Sequence, residues 1–502
     1  MPSAFSLMSS PSLSKPHAAL VIIGHGSTLN PDSSTPTHQH ADAIRRRGIF
    51  AEVACAFWKE EPSMREVYAM VESPEVYLVP NFISEGYFCQ QVLPRELQVT
   101  GPITQLADKT LYYCDPVGIH PNMTKLLLQR ADEVAPGVPR DHTALIIVGH
   151  GTSLNENSRK VIEQQVALIR DGGYGFAEVA DAYMEEKPLV SDWHELTRSP
   201  NVVVVPFFIA DGLHSYQDIP VLLGFETETG AAASQREVFR HNPHHLHGRS
   251  LYYSSAIGTE SHMADVILDQ VIDFDRKHQP SASTRMTESK IIPWLQSKLG
   301  KGLLRIGQIQ VEAQGTGFVI RHIDDAASTS LSSHQGAQSL REIVKLDAQG
   351  EFRALKSAPN LIRGWQVSVD SLEELLLALD IAYPAAAGMA MAEEQGKLQG
   401  VPLRSNLSRQ TGMYRFTNTI RDDQAMQMVA SCCDSATRCQ RRIVWGLTAE
   451  QPLSGPATIK AQRLQREGEI PLLCMEVCPL LVSEARKIAQ KNHAEQQATS
   501  GS

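Results

Sequence analysis

The chain has 502 residues, of which 42% are apolar and 20% charged, a composition of ordinary globular domains rather than of a fibrous or disordered chain. Its formal net charge of −10, without a basic stripe, speaks against nucleic acid as a general partner; an anionic ligand would have to be met by local Arg, Lys or helix N-termini. No apolar run approaches the roughly 20 residues that span a bilayer, and the length points to roughly three or four domains.

Residues 1–16 are rich in Ser and Pro and lack the basic and apolar segments of a secretory signal, so they read as a disordered lead in a cytoplasmic protein. Over 17–138, strands at 18–23, 52–56, 76–79 and 110–114 alternate with helices near 39–47, 63–71, 89–97 and 121–134. That alternation predicts a parallel sheet with helices on both faces. After a joint at Pro136-Gly137-Val138-Pro139 the pattern returns over 139–278, with strands at 144–148, 178–182, 201–205 and 250–254.

The return is visible in the residues themselves. Gly24-His25-Gly26 recurs as Gly149-His150-Gly151, and Ala51-Glu52-Val53-Ala54 as Ala177-Glu178-Val179-Ala180. Val79-Pro80 with Phe82-Ile83 and Gly86 recurs as Val205-Pro206 with Phe208-Ile209 and Gly212, and Leu111-Tyr112-Tyr113 as Leu251-Tyr252-Tyr253. Such ordered self-similarity predicts duplicated α/β units. The second half also carries an insertion ending in His241-Asn242-Pro243-His244-His245-Leu246-His247, which reads as a solvated loop, with metal gathering as the alternative.

Beyond 279 the repeat stops. Residues 281–286 look like a linker, 302–320 and 351–367 alternate like antiparallel strands, and 371–381 form an amphipathic helix, giving over 279–400 a smaller α+β domain that docks the ends of the molecule together. Residues 401–491 hold five of the eight cysteines, Cys432, Cys433, Cys439, Cys474 and Cys478; Cys55, Cys89 and Cys114 are scattered in the first half. In a cytosolic protein this crowding suggests metal or redox chemistry before disulfides. Residues 492–502 read as a disordered tail.

Ligands of open α/β sheets bind beyond the carboxyl ends of the strands, where His150 and His25 emerge between glycines. The second half places His214 beyond its third strand and Glu185 beyond its second; the matching positions of the first half hold Phe88 and Lys59. Two neutral imidazoles and a carboxylate make an incompletely filled site for a divalent ion, and the same groups accept protons near neutral pH. The bland alternative is a helix-capping His214 and solvated charges at Glu185 and Glu186. Arg159 and Lys160 could meet carboxylates of a ligand, but read first as surface charges. Four cysteine thiolates hold an iron–sulfur cluster or a structural zinc; Pro479 after Cys478 and the nearby Arg441 and Arg442 favour a cluster.

The sequence I-x-V-G-H-G-[ST], then E-V-A-x-A-[YF]-x-E with a following Pro, then V-P-x-F-[IL]-x-x-G-x-H resembles the class II tetrapyrrole chelatases, most closely the CbiX-type sirohydrochlorin cobaltochelatases, over about residues 18–275. The resemblance implies that His150, His214 and Glu185 bind the incoming metal and help remove pyrrole protons, without ATP or an organic cofactor. The substrate it implies is sirohydrochlorin or a related precorrin, with Co²⁺ favoured over Fe²⁺ or Ni²⁺. It makes the first half a degenerate copy that retains His25. One pair of units would form the cleft that smaller relatives make by dimerising, which points to a monomer. The last region is similar to the 4Fe–4S-binding domain of a subgroup of chelatase-like proteins, with a stabilising domain before it. That likeness implies Cys433, Cys439, Cys474 and Cys478 as cluster ligands, leaves Cys432 as an alternative first ligand, and raises an electron-transfer partner for the cluster. The other readings are a non-enzymatic metal or tetrapyrrole binder with a redox-sensing cluster, and a cluster-dependent tetrapyrrole oxidoreductase.

Overall fold

Strands β1 (Lys15–Gly24), β2 (Phe50–Phe57), β3 (Glu75–Pro80), β4 (Ile103–Leu106) and β5 (Lys109–Tyr113) form one sheet in the order β2-β1-β3-β5-β4. Strands β6 (Thr143–Gly149), β7 (Glu178–Tyr183), β8 (Asn201–Pro206), β9 (His244–Leu246) and β10 (Arg249–Tyr253) repeat that order as β7-β6-β8-β10-β9. The central strands are unbroken apolar runs because helices cover both faces, and all pair in parallel. This computed structural model describes residues 13–106, 108–151, 156–226, 237–280, 289–300, 302–398, 400–410, 413, 416–433, 439–446 and 468–500.

Three expectations change in the duplicated units. Each unit gains an antiparallel edge strand, β4 on β5 and β9 on β10, beyond the four strands read from the pattern. The histidine tract is itself that edge: His247 and Gly248, at φ of 53° and 71°, form the two-residue turn that folds β9 onto β10. His244 stacks on Phe225 at 3.9 Å and His247 on His194 at 4.3 Å, so the tract is an edge strand rather than a loop, although His241, His245 and His247 are exposed to solvent. At the start, β1 begins inside the expected disordered lead, because Lys15 N–H bonds the Ile49 carbonyl at 2.7 Å and its ammonium reaches Asp275 at 2.6 Å. Residues 1–12 and the linker 281–286 lie outside the described residues.

The two units share one core. The helix Met123–Val134, last of the first unit, packs on β8, and Met263–His278, last of the second, packs on β3. Leu127, Leu145, Val203 and Ile267 consequently belong to one apolar cluster with Leu20 and Val79. Polar contacts cross the same seam: His40 Nε2 lies 2.8 Å from the Gly258 carbonyl, the Gln270 amide donates to the Pro116 carbonyl at 2.8 Å, and the Tyr77 hydroxyl donates to Asp275 at 2.7 Å. The exchange turns the carboxyl ends of the two sheets toward each other. There the Ser84 and Ser158 hydroxyls are 3.1 Å apart, Asn157 donates to the Glu85 carbonyl at 3.2 Å, and the Tyr216 hydroxyl donates to Asp32 at 3.3 Å.

In the third domain β11 (Leu303–Ile306), β12 (Ile309–Gln314) and β13 (Gly317–His322) form the expected antiparallel meander, extended by β14 (Ser332–Gln335) and β15 (Trp365–Val369). Over 351–367 only the end becomes strand; Phe352 and Leu361 make single bridges. Helix Leu372–Ala382 is capped by the Ser371 hydroxyl, which accepts from Glu374 N–H at 3.1 Å. A sixth strand, Glu469–Ile470, comes from the cysteine region and pairs with β11, so the last two domains interlace. The helix Pro479–Ser500 runs through the expected tail, because Asn492 is buried and its amide donates to the Thr419 carbonyl at 2.6 Å. No single described helix is long and apolar enough to cross a membrane.

Two predictions follow from the loops that the duplicated strands present. A Cβ on Gly258 would fall 2.1 Å from the Ile209 carbonyl oxygen, and one on Gly118 2.0 Å from that of Ile83, backbone atoms that have no room to retreat. Gly258→Ala is expected to cost about 2 kcal/mol or more, against less than about 0.5 kcal/mol for Gly101→Ala, whose Cβ meets nothing within 4 Å; denaturant titration of both variants checks this. Asp211 is buried, its carboxylate accepting from Ala256 N–H at 2.8 Å, and burial pushes its pKa up to about 6. The fold therefore keeps a proton that the unfolded chain releases near pH 4, and this stability is lost as pH rises from about 4 to about 6. Asp211→Asn, which cannot ionise, is expected to gain about 1–2 kcal/mol relative to the native protein between pH 4 and pH 7, read from unfolding curves at the two pH values.

Candidate functional site

His150 leaves β6 through a turn that only glycine permits. Gly151 has φ +73°, and a Cβ there would lie 2.8 Å from both Tyr183 Cβ and Glu186 Cγ. Met184 and Glu185 N–H groups donate to the His150 carbonyl, each at 3.1 Å, tying the loop after β7 to this turn. Beyond β8 the chain makes a π-helical turn, His214–Asp218, before helix Ile219–Leu223; such turns recur at functional sites because they shift side chains out of regular helical register.

These elements gather the three sequence-predicted side chains at one sheet edge. His150 Nε2 is 3.8 Å from Glu185 Oε1, and the His150 and His214 rings meet edge to face at 4.9 Å. His150 Nδ1 lies 3.0 Å from the Gly151 carbonyl, which can only accept, so Nδ1 carries the proton and Nε2 presents its lone pair. Asp218 does the same for His214, its carboxylate 2.7 Å from Nδ1. Asp218 escaped the sequence reading; its only signal was the spacing of four after His214, which puts both on one helical face. The side chains of His150, His214 and Glu185 are 39%, 48% and 61% exposed, so a ligand can reach all three. They are gathered but splayed: among the described residues no three His, Cys, Asp or Glu side chains stand close enough to hold one ion as they are. Arg159 is engaged, donating to Glu163 at 2.8 Å and to the Lys187 carbonyl at 3.0 Å, and so braces the Glu185 loop rather than projecting as a free cation.

The first unit reproduces the turn without the donors. Gly26 has φ +66°, Lys59 N–H donates to the His25 carbonyl at 2.9 Å, and His25 Nδ1 lies 2.8 Å from the Gly26 carbonyl. Phe88 begins the matching π turn, Phe88–Val92, so both the second imidazole and its supporting carboxylate are missing. The His25 ring instead meets Trp58 at 5.1 Å and Phe88 at 5.4 Å, and the Lys59 ammonium stands 3.8 Å from the centre of the Trp58 ring. Burial among these groups, and then the Lys59 charge, keep His25 below the usual histidine range. Apolar rings and a cation take the places that the second imidazole and the carboxylate hold in the second unit.

Five cysteines converge elsewhere. Helix Asp422–Cys433 delivers Cys432 and Cys433, the segment before Arg441 carries Cys439, the short strand Leu473–Cys474 brings Cys474, and Cys478 precedes Pro479 at the start of the last helix; all five line one cavity. Residues 434–438, with Thr411, Gly412, Tyr414 and Arg415, lie outside the described residues. None of the eight cysteines is in a disulfide. Burial pushes the Cys474 thiol well up and Cys478 up to about 11, so these sulfurs stay protonated unless a cationic centre binds them. Arg441, two residues after Cys439, is buried in the wall: it donates to the Leu473 carbonyl at 2.9 Å, to Glu61 at 2.9 Å and to Glu66 at 3.1 Å. Burial works against its charge, but the two carboxylates more than offset that and raise its pKa. Sulfur donors on four separate segments and a fixed cation in the wall fit an iron–sulfur cluster.

The CbiX family matches residues 19–134 and 144–274, a family described as the DR2241 stabilising domain matches 294–394, and a 4Fe–4S iron–sulfur cluster binding domain matches 395–487. A probable sirohydrochlorin cobaltochelatase of Halobacterium salinarum is 43% identical over 273 residues, covering 51% of this chain and 91% of that relative. A sirohydrochlorin cobaltochelatase of Methanopyrus kandleri is 30% identical over 137 residues, covering 26% of this chain and 94% of that relative. Among solved structures, DR2241 of Deinococcus radiodurans, described as a multi-domain protein similar to chelatases with two additional domains, superposes with TM-score 0.76 at 26% identity, covering 94% of this chain and 99% of that one. The duplicated units, the interlaced domains beyond them and these likenesses agree: the chain belongs to the CbiX family, in the form that carries a C-terminal 4Fe–4S-binding domain.

Proposed function

We propose that the protein is a chelatase that inserts a divalent metal, Co²⁺ in the favoured reading, into sirohydrochlorin or a closely related tetrapyrrole. The observation that carries this is the pair of imidazoles whose Nδ1 atoms are committed to Gly151 and Asp218, leaving both Nε2 atoms for a metal ion beside Glu185. The names of the two cobaltochelatase relatives support the substrate. Fe²⁺ and Ni²⁺ remain the same-class alternatives, since imidazole and carboxylate donors suit all three ions.

In this reading the incoming ion is substrate. His150 and His214 hold it at one wall of the cleft while the macrocycle enters from the opening between the two sheets. Glu185, the most exposed of the three, swings to accept pyrrole N–H protons as metal–nitrogen bonds form. Asp218 keeps the His214 tautomer and ring plane fixed and stabilises positive charge on the imidazole. In the last domain Cys433, Cys439, Cys474 and Cys478 would hold a 4Fe–4S cluster, with Cys478 at a helix N-terminus that favours thiolate charge. Bound there, a cluster supplies one-electron chemistry.

Anaerobic, absorbance-monitored insertion into sirohydrochlorin with Co²⁺, Fe²⁺ and Ni²⁺ tests the proposal. His150→Ala is expected to lower kcat/KM by about 10²-fold or more, whereas His25→Ala stays within a factor of about three. Asp218→Asn keeps the shape but not the charge, and is expected to raise the metal KM by about tenfold. Tight macrocycle binding with no turnover for any metal would replace the enzyme by a tetrapyrrole carrier. Iron content and cluster absorbance of Cys433→Ser and Cys432→Ser settle the first ligand: loss in the former and retention in the latter is the expected result.

A further inference from the structure

The loop after β2, Trp58 to Glu66, is the first unit's counterpart of the loop that carries Glu185, yet it faces the cysteines. Trp58, Glu61 and Glu66 all line the cysteine cavity, and Arg441 pins the loop there through its bonds to Glu61 and Glu66. Glu61 also accepts from Ser357 N–H of the third domain at 3.2 Å, so three domains fix this loop. On its other side the Trp58 ring meets His25 at 5.1 Å and Phe88 at 5.0 Å, and Phe88 stacks on Phe82 at 5.1 Å. His25 and Phe88 occupy the positions of His150 and His214 and stand at the carboxyl edge of the first sheet. That edge is held against the second by the Ser84–Ser158 and Asp32–Tyr216 contacts. One indole therefore touches both the cysteine cavity and the wall opposite the proposed metal donors.

Building on the metal-insertion reading, we propose that the first unit has exchanged metal binding for electron relay: Trp58 couples a cluster held by the cysteines to the metal–macrocycle in the cleft. The step is a single electron transfer. A cluster held by the cysteines would give up one electron, passing from [4Fe–4S]⁺ to [4Fe–4S]²⁺, and the divalent metal of the bound macrocycle would take it and become monovalent. No bond breaks and no proton moves. An external low-potential one-electron carrier protein restores the reduced cluster. The Lys59 ammonium over the Trp58 ring makes removal of an electron from the indole harder, so Trp58 conducts as a bridge and no tryptophan radical accumulates.

The test uses the anaerobic holoprotein, its cluster reduced with dithionite and the excess removed, mixed rapidly with cobalt(II) sirohydrochlorin. Loss of the reduced-cluster paramagnetic resonance signal should match, one for one, the appearance of the reduced cobalt macrocycle in absorbance. Trp58→Leu should slow both severalfold, and Trp58→Phe by less. Iron content and the spectral shift on macrocycle binding are measured on the same samples. A native cluster that stays reduced beside bound macrocycle overturns the relay, as does an unchanged rate in Trp58→Leu with its iron intact. If Trp58→Leu loses iron, an unchanged rate in Trp58→Phe overturns it instead. Insertion turnover measured in parallel separates the two proposals: insertion without cluster reoxidation removes the relay alone, whereas reoxidation by the premetallated macrocycle without insertion supports the relay and removes the insertion reading.

Discussion

The reciprocal packing of Met123–Val134 on β8 and Met263–His278 on β3 is the constraint on which the rest of the molecule depends. Two separate α/β units would each bury a core and leave their strand ends free to face anywhere. Because each final helix covers the other's sheet, the carboxyl edges of the two sheets are brought into contact, as at Ser84–Ser158 and Tyr216–Asp32. A close-packed common core has no soft mode by which one edge could turn away without losing apolar contact on both sides.

Sharing a cleft freed the two walls to diverge. The second wall keeps imidazole, imidazole and carboxylate, with Asp218 and the Gly151 carbonyl setting the tautomers. The first wall keeps the backbone of the same turn but fills it with Trp58, Phe88 and the Lys59 cation. Duplicated backbone with unequal side chains is economical physics: Gly118 and Gly258 show that the close approach of the turns is conserved in both halves at nearly the same clearance, 2.0 and 2.1 Å for a hypothetical Cβ. What differs is only the chemistry hung on those turns.

Arg441 plays a comparable role at the other end. It is a buried cation held by Glu61 and Glu66, and removal of both carboxylates would leave its charge uncompensated in a low-dielectric wall. Such pairs are weak sources of stability but strong sources of geometry. This one sets the cysteine segments against a loop of the first unit, and the Glu469–Ile470 strand on β11 holds the same segments to the third domain. The iron–sulfur domain is therefore joined to both of its neighbours rather than appended by a linker.

The sequence by itself determined the duplication, the parallel sheets, the central strands and the gathering of His150, His214 and Glu185, because each rests on local patterns: apolar runs, glycine turns and matched spacings. It also set Phe88 and Lys59 in plain register with His214 and Glu185, the difference in side chains between the two halves. It could not show the edge strands β4 and β9, which exist through pairing partners rather than through their own weak pattern, and it misread the histidine tract for that reason. Nor could it show that β1 starts at Lys15 or that the last helix runs to Ser500, because distant partners, Ile49 and Asp275 for one and Thr419 for the other, supply the stabilising bonds. Only the tertiary structure decided that the units share a core, that Asp218 supports His214, and that Trp58 lines the cysteine cavity while meeting His25 and Phe88. Those are facts of long-range contact, and no local periodicity encodes them.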